Sequence, residues 1–259
     1  MKLGMCSWSH HRNFESGDMD IFEWMAHCAS DLKVGGIEIT DGHLKSFDED
    51  YVRKVRRVAV DLHLTISALT ISNDFGKADA EERDKQMEYM EQGITLAMAL
   101  GTPVLRVFAG WPEREKEEAW SEMVRCMQIS CMIAEREGVV LAVENHNHGG
   151  FLQTFADVDR LMKEVDSEWL RLNLDTGNFI DGFESIEKGM FYNVHTHAKM
   201  LEVGPSGSDA LVDYPRFINL CRDVNYRGFI SIEYEGKEDE VPAVRRGVEY
   251  IRSLIMGKG

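Results

Sequence analysis

Short apolar segments alternate with longer segments of helical spacing along the whole of this 259-residue chain. Eight of the apolar segments have the length and composition of β-strands. In chain order they are Lys2–Ser7, Gly36–Thr40, Thr65–Ile71, Pro103–Ala109, Val139–Asn145, Leu170–Leu174, Val194–Lys199 and Phe229–Tyr234. Strands that alternate with helices form parallel sheets, because each helix returns the chain to the edge where the next strand begins. The alternation therefore predicts an α/β fold.

The segments between these strands place apolar residues at steps of three and four, as a helix with one buried face does. The clearest are Asp20–Leu32, Glu81–Leu100, Glu113–Arg136 and Asp239–Ile255, and a short helix is expected near Phe183–Met190. Eight strand–helix units in this length predict a (β/α)₈ TIM barrel, with residues 1–259 as one domain. A doubly wound open sheet also alternates, but no glycine-rich fingerprint follows the first strand.

Charge and cysteine content restrict the class of partner and the compartment. A formal net charge of −16 disfavours nucleic acid and anionic membranes, although a local basic pocket could still hold one phosphate. No apolar run reaches the length of a membrane span, and the first residues do not resemble a signal peptide. Five cysteines without a C-x-x-C pair indicate reduced thiols and a cytoplasmic protein. We expect a small-molecule ligand, and a homo-oligomer is left open.

Four strand patterns in the second half of the chain end in a residue of a metal-binding type: Glu144, Asp175, His197 and Glu233. In a (β/α)₈ barrel the carboxyl ends of the strands meet at one rim, so residues distant in sequence come together there. Alternation along each strand also turns these side chains inward, where polar groups require partners. Three carboxylates and an imidazole suit Mn²⁺, Mg²⁺, Co²⁺ or Zn²⁺, and the absence of thiolates disfavours a structural zinc site.

Further polar and aromatic residues are predicted near this rim. Lys199 could hold a substrate hydroxyl or phosphate oxygen, or could pair with Glu202 or Glu235. Arg106 is predicted to face inward and to need a carboxylate, either Glu38 or Glu144. Trp111 could form a wall against a bound ligand or anchor a loop, and Glu38 could extend the polar rim. All three, Arg106, Trp111 and Glu38, are predicted substrate-binding residues together with Lys199.

The chain resembles the xylose isomerase-like superfamily of sugar isomerases and epimerases, which are TIM barrels. The resemblance covers nearly the whole length. It is carried by Gly36–Ile39, Leu96–Val107, Val143–His146, Leu174–Asn178, His195–Lys199 and Ser231–Glu235. These motifs are specific for the superfamily in this order and spacing, and for no single substrate.

The resemblance implies a metal-dependent proton transfer. In ketose epimerases of this family two metal-binding glutamates also act as acid and base, which implies these roles for Glu144 and Glu233. One would remove the proton alpha to a carbonyl and the other would return it on the opposite face. The divalent ion would bind the carbonyl and stabilise the enediolate. Asp175 and His197 would serve as metal ligands only.

Two positions depart from the epimerase pattern. Asn178 stands where those enzymes often have a histidine, and Val203 stands where they often have an arginine. Both positions touch substrate in the epimerases, so the departures argue against a free-ketose 3-epimerase. His146, two residues after Glu144, could serve as the added acid or base of family members that resemble inosose dehydratases or act on 3-keto-glycosides, or it could hydrogen-bond a neighbouring loop.

The sequence and the resemblance leave three functions open. The first is a metal-dependent isomerase or epimerase acting on a carbohydrate carbonyl, with Asn178 and His146 also touching substrate. The second is a lyase that eliminates a β-leaving group with the help of His146. The third is a sugar-binding barrel without turnover. A relative of the superfamily's DNA-cleaving members is disfavoured, because such enzymes need a basic groove.

Overall fold

Eight parallel strands follow one another around a closed barrel in the computed structural model, which describes residues 1–257. The strands are β1 (Lys2–Cys6), β2 (Gly36–Thr40), β3 (Thr65–Thr70), β4 (Val104–Val107), β5 (Val140–Glu144), β6 (Leu170–Asp175), β7 (Asn193–Met200) and β8 (Phe229–Tyr234). Each predicted strand is present with its ends within about two residues of the predicted ones. The predicted TIM-barrel fold is confirmed.

Helices occupy most connections between the strands. Within residues 1–257 they are α1 (His11–Ser16), α2 (Ile21–His27), α3 (Glu49–Asp61), α4 (Ala80–Leu100), α5 (Lys116–Glu137), α6 (Phe155–Val165), α7 (Phe183–Gly189), α8 (Tyr214–Asp223) and α9 (Glu240–Ile255). The four long predicted helices and the short one, α7, are present. The helix predicted through Leu32 is regular only to His27, because Cys28–Leu32 form a wider π-helical turn that ends at Lys33 with φ of 52°.

The helix ends follow from local sequence. Asp20 precedes α2 and accepts hydrogen bonds from the backbone N–H groups of Phe22 and Glu23, while the Glu23 side chain accepts from the N–H of Asp20. This capping box satisfies donors that the first turn leaves without helical partners. At the other end, α4 and α5 stop at Gly101 and Gly138, whose φ angles of 78° and 71° favour glycine.

Contacts divide the chain into two compact units. The first unit contains Met1–Ser67 and Thr196–Gly259, and the second contains Ala68–His195. In the first unit β1 pairs in parallel with both β2 and β8, and β8 pairs with β7. In the second unit β4 pairs with β3 and β5, and β5 pairs with β6. The organisation as one domain stays a prediction.

Each unit buries its own apolar residues. In the first, Trp24, Tyr214, Phe217 and Tyr234 are essentially inaccessible to solvent. In the second, Trp120 is buried and its indole Nε1 donates to Glu164 Oε2 over 2.7 Å. Such large rings contribute much of the apolar area that drives folding.

The five cysteines, Cys6, Cys28, Cys126, Cys131 and Cys221, are free and buried, as the sequence predicts. Burial raises the pKa of Cys28, Cys131 and Cys221, to about 11 for Cys131 and about 12 for Cys221, so these thiols stay protonated. None of the helices between residues 1 and 257 combines the length and the apolar character that crossing a membrane requires.

Candidate metal centre

The four residues predicted as metal ligands form one group. Glu144, Asp175, His197 and Glu233 each offer a ligand atom, these atoms lie within 4.8 Å of one another, and all four residues are buried. Glu144 and Asp175 are the last residues of β5 and β6, and Glu233 is the last but one of β8. His197 lies on β7, three residues before the strand ends at Met200.

In the first unit, His197 is held between two carboxylates. Its Nε2 lies 2.7 Å from Glu38 Oε1, and its Nδ1 lies 3.3 Å from Glu233 Oε1. Glu38 on β2 and His197 are both completely buried. A carboxylate that accepts the Nε2–H proton fixes the imidazole in the tautomer with a lone pair on Nδ1, which is the form a metal ligand needs. Glu38 therefore orients the imidazole of His197 within the group of candidate metal ligands.

The carboxylate of Glu233 has a second cationic neighbour. Lys199 Nζ lies 2.5 Å from Glu233 Oε2 and 3.0 Å from Glu235 Oε2. Burial opposes ionisation of Glu233, but the charges and hydrogen bonds of His197 and Lys199 outweigh it and hold the pKa of Glu233 well below its ordinary value. Glu233 is consequently a carboxylate rather than a carboxylic acid.

Glu235 extends this network toward solvent. Its Oε1 accepts a hydrogen bond from the indole Nε1 of Trp8 over 3.0 Å, and its Oε2 faces Lys199. The predicted pairing of Lys199 with Glu235 is therefore present, while Glu233 is an additional partner that the sequence did not suggest. The polar residues that alternate along β7 and β8 contact one another, as their shared face predicts.

In the second unit, three donors that keep their protons in the physiological range lie beside Glu144. Arg106 Nε lies 3.2 Å from Glu144 Oε2, so the predicted pairing of this buried arginine with Glu144 is present. Asn173 Nδ2 donates to Glu144 Oε2 over 2.9 Å, and Asn178 Nδ2 lies 3.5 Å from Glu144 Oε1. The Arg106 guanidinium also lies 4.1 Å from the ring centre of Phe108.

Further hydrogen bonds in the second unit hold the residues next to Glu144 and Asp175. His195 Nδ1 lies 2.8 Å from Asn173 Oδ1, so Asn173 joins this buried histidine to Glu144. Asn145 forms a reciprocal pair with the backbone of Asp175: its Oδ1 accepts from Asp175 N–H, and its Nδ2 donates to the Asp175 carbonyl. Asp175 Oδ1 accepts from the N–H of Gly177 over 2.7 Å.

His146 and Trp111 lie in an aromatic cluster of the second unit. The His146 ring meets Phe108 and Trp111 edge-on, with ring centres 5.2 Å apart in each case. His146 is half-buried, and its Nδ1 accepts from the backbone N–H of His148 over 3.3 Å. A neutral His146 ring with Nδ1 as acceptor carries its proton on Nε2.

The polar network includes residues that the sequence did not single out for the site. Asn173 and Asn145 hold Glu144 and Asp175, and Cys6 forms with Glu38 and His197 a second group that could hold a metal. Burial and the nearby carboxylate of Glu38 raise the pKa of Cys6 well above its ordinary value, which disfavours thiolate coordination. A polar residue on the inward face of a predicted strand was a signal for Asn173; no comparable signal identifies Asn145.

The residues present fit a hard or borderline divalent cation. Buried carboxylates that lie close together repel one another, and a divalent ion removes that repulsion. Carboxylate oxygens with one imidazole match Mn²⁺, Mg²⁺, Co²⁺ and Zn²⁺ better than a thiolate-dependent metal.

A family model matches most of the chain. Residues 27–254 match the model of the family described as xylose isomerase-like TIM barrel, and the chain belongs to this family.

Individual relatives have diverged far from the chain. Inosose dehydratase from Clostridium perfringens is 23% identical, and the match covers 96% of this chain and 94% of the relative. The C-glycoside deglycosidase alpha subunit from Arthrobacter globiformis is 26% identical over 70% of this chain and 48% of its own length. The structure of 3-keto-D-glucoside 4-epimerase from E. coli superposes with a TM-score of 0.78 at 18% identity, covering 98% of this chain and 99% of that one. At this identity the superposition shows a shared fold.

Proposed function

We propose that this protein is a divalent-metal-dependent isomerase or epimerase that moves a proton alpha to a carbohydrate carbonyl. The observation that carries the proposal is the buried group of Glu144, Asp175, His197 and Glu233. The names of the relatives support carbohydrate chemistry, because they include a sugar epimerase and a dehydratase of a keto-inositol.

The two glutamates are proposed as the acid and the base. One carboxylate takes the proton from the carbon beside the carbonyl, and the electron pair of the broken C–H bond moves toward the carbonyl oxygen. The other glutamate, protonated, returns a proton to the same carbon from the opposite face. A bound divalent cation supplies positive charge that stabilises the negative charge developing on the substrate oxygen.

The surrounding residues position these groups. Glu38 holds the imidazole of His197 in the tautomer suited to a metal, and Asn173 fixes one oxygen of Glu144. Lys199 and Arg106 lie beside the carboxyl groups of Glu233 and Glu144 and orient them, and Glu233 is held as the carboxylate, which is the form that accepts a proton. Asn178, Trp111 and His146 remain proposed substrate contacts.

Deuterium exchange tests the proposal directly. Metal-loaded protein in D₂O is incubated with ketoses, keto-inositols and 3-keto-glycosides, and NMR follows deuterium entering the substrate. We expect exchange with at least one class, and a decrease of about 10²–10⁴-fold in Glu144→Gln and in Glu233→Gln. Glu184→Gln, which alters an exposed carboxylate on α7, is the matched control.

Two results would contradict the proposal. Undiminished exchange in both glutamine variants would remove the acid and base assignments. Stoichiometric metal without exchange into any member of the panel would favour a sugar-binding barrel without turnover. Metal content, measured by mass spectrometry, separates this outcome from a failure to load the ion.

A lyase is the second candidate, and His146 is the observation that favours it. In its imidazolium form, the half-buried His146 could give a proton to a departing hydroxyl or aglycone after a glutamate has removed the alpha proton, and the ring would return to its neutral form. We expect His146→Gln to block loss of the leaving group while deuterium exchange continues. Equal product formation in this variant would exclude the histidine from the elimination.

A further inference from the structure

A cavity of about 600 Å³ lies beside the network of Glu233 in the first unit. Two loops form it: the β7–α8 loop, residues 201–213, and the β8–α9 loop, residues 235–239. The side chains from the first loop are mostly apolar, and they are Leu201, Val203, Pro205, Ala210 and Leu211. The second loop contributes Glu235, Lys237 and Glu238.

Glu235 connects this cavity to the proposed acid–base group. Glu235 lines the cavity, and its Oε2 lies 3.0 Å from Lys199 Nζ, which in turn lies 2.5 Å from Glu233 Oε2. A substrate that reaches Glu233 and extends along Glu235 would place its distal part in the cavity.

Buried polar contacts give the cavity a fixed shape. Asp209 accepts hydrogen bonds from the backbone N–H groups of Leu201, Glu202, Leu211 and Val212 at 2.7–3.2 Å, which closes the first loop on itself. Arg246 of α9 donates to the carbonyls of Val203 and Gly204 on the first loop and to the Glu238 carboxylate on the second. One guanidinium therefore ties the two loops together.

The charges of the lining disfavour an anion. Glu202, Glu235 and Glu238 contribute three carboxylates, and Lys237 is the cation among the lining residues. A phosphate would need converging cationic or N–H donors, whereas this wall combines carboxylates with aliphatic side chains. Leu211 at the cavity is 61% exposed, so an apolar group that covers it would remove apolar surface from water.

We propose that the cavity binds an apolar, uncharged substituent of the sugar, such as the aryl or alkyl group of a glycoside. This inference rests on the proposed function and narrows its substrate class to neutral substituted sugars rather than sugar phosphates. Its volume falls within the range of pockets that bind small organic ligands.

Calorimetric titration of the manganese-loaded protein tests the inference with methyl β-glucoside, phenyl β-glucoside and glucose 6-phosphate. The two glucosides lack a ring ketone, so binding is measured without turnover. We expect the phenyl compound to bind about tenfold more tightly than the methyl compound. Leu211→Lys should reduce that preference below about threefold, because a charge replaces apolar surface. Val60→Lys on α3, whose residue is 65% exposed, is the matched control and should keep the preference.

Equal affinity for the two glucosides, tighter binding of the phosphate, or no binding of either glucoside would overturn the inference. Deuterium exchange into an unsubstituted keto-sugar, without a phenyl preference, would leave the proposed function standing while this inference fails. A phenyl preference that Leu211→Lys abolishes, without exchange in any substrate, would instead count against the proposed chemistry alone.

Discussion

Glu233 in the first unit and Glu144 in the second are both buried glutamates at the ends of barrel strands, but different chemistry neutralises them. Glu233 faces Lys199 and His197, whose side chains can gain and lose protons. Glu144 faces a guanidinium and two side-chain amides, from Arg106, Asn173 and Asn178, which hold their protonation state over the physiological range. Two carboxylates that look equivalent in sequence thus differ in how firmly their charge is fixed.

This difference suggests different contributions to the proposed reaction. The donors to Glu144 in the second unit keep their protons near neutral pH, so the hydrogen bonds that orient its carboxylate do not depend on pH there. The surroundings of Glu233 can change with the protonation of its neighbours, so its basicity is coupled to pH and to an ion bound by His197.

Removal of the two cations should give the largest effects. Lys199→Met and Arg106→Met keep a long side chain but remove the charge beside a buried carboxylate. We expect each to lower the free energy of unfolding by about 3–5 kcal/mol in metal-free protein, because the carboxylate loses its nearest cation. Urea denaturation measures both. Lys163→Met, which removes an exposed pair with Asp159 on α6, should cost less than about 1 kcal/mol.

Repeating the Lys199→Met measurement with added Mn²⁺ tests whether a divalent ion can replace the missing cation beside Glu233. A divalent ion that binds near Glu233 should recover part of the lost stability, since binding to the folded state alone raises its free energy of unfolding. Losses below about 1 kcal/mol in both cation variants would show that the ion pairs do not govern the two glutamates.

Asn173→Ala should have an intermediate effect within the second unit. The substitution removes the donor to Glu144 Oε2 and the partner of His195 Nδ1. We expect a loss of about 1–3 kcal/mol, the range for buried polar groups left without a partner, and slower deuterium exchange. Asn219→Ala, at an exposed position of α8, serves as control. A stability change as small as that of the control would mean that Asn173 does not hold Glu144.

The smallest predicted effect is a pH dependence from His10 in the first unit. Burial, with the nearby charges of His27 and His43, lowers the pKa of His10 to about 3. The unfolded chain would bind a proton at this residue below about pH 6.5, whereas the folded chain would not. Stability from this group is complete above pH 6.5 and is lost as pH falls, by up to about 1.4 kcal/mol per pH unit.

Urea denaturation at about pH 7.5, 6 and 5 measures that slope. His10→Asn should flatten the dependence between pH 6 and 5, and His63→Asn, at an exposed turn before β3, should leave it unchanged. Identical slopes in wild type and His10→Asn would assign the acid sensitivity of the first unit to other groups.

Much of the fold was predictable because the strand segments differ from the helical segments in composition and in the period of their apolar residues. The order of the eight strands, and therefore the barrel, followed from their alternation with helices. The extension of β7 by one residue at each end, to Asn193 and Met200, was not predicted. The short helix α1 was also not predicted. Tertiary contacts support it, as Glu240 accepts hydrogen bonds from the backbone N–H groups of Arg12 and Asn13.

That Glu144, Asp175, His197 and Glu233 come together was predictable because each lies at or near the carboxyl end of a strand, but the hydrogen bonds around them were not predictable. Which cation faces Glu233 depends on strand register, and β7 places Lys199 opposite Glu233 on β8. The reciprocal hydrogen bonds of Asn145 depend on side-chain conformation and on the backbone of a different strand. The functional roles of all these residues stay predictions until the exchange experiments are done.

Asp209 has a consequence for how this protein could change its preferences over evolution. Because one carboxylate holds four backbone N–H groups, the path of the β7–α8 loop depends little on the exposed side chains at positions 210 and 211. Those positions can vary while the backbone between them stays in place. Selection could therefore exchange one ligand preference for another by single substitutions, with Asp209 as the residue that must be kept.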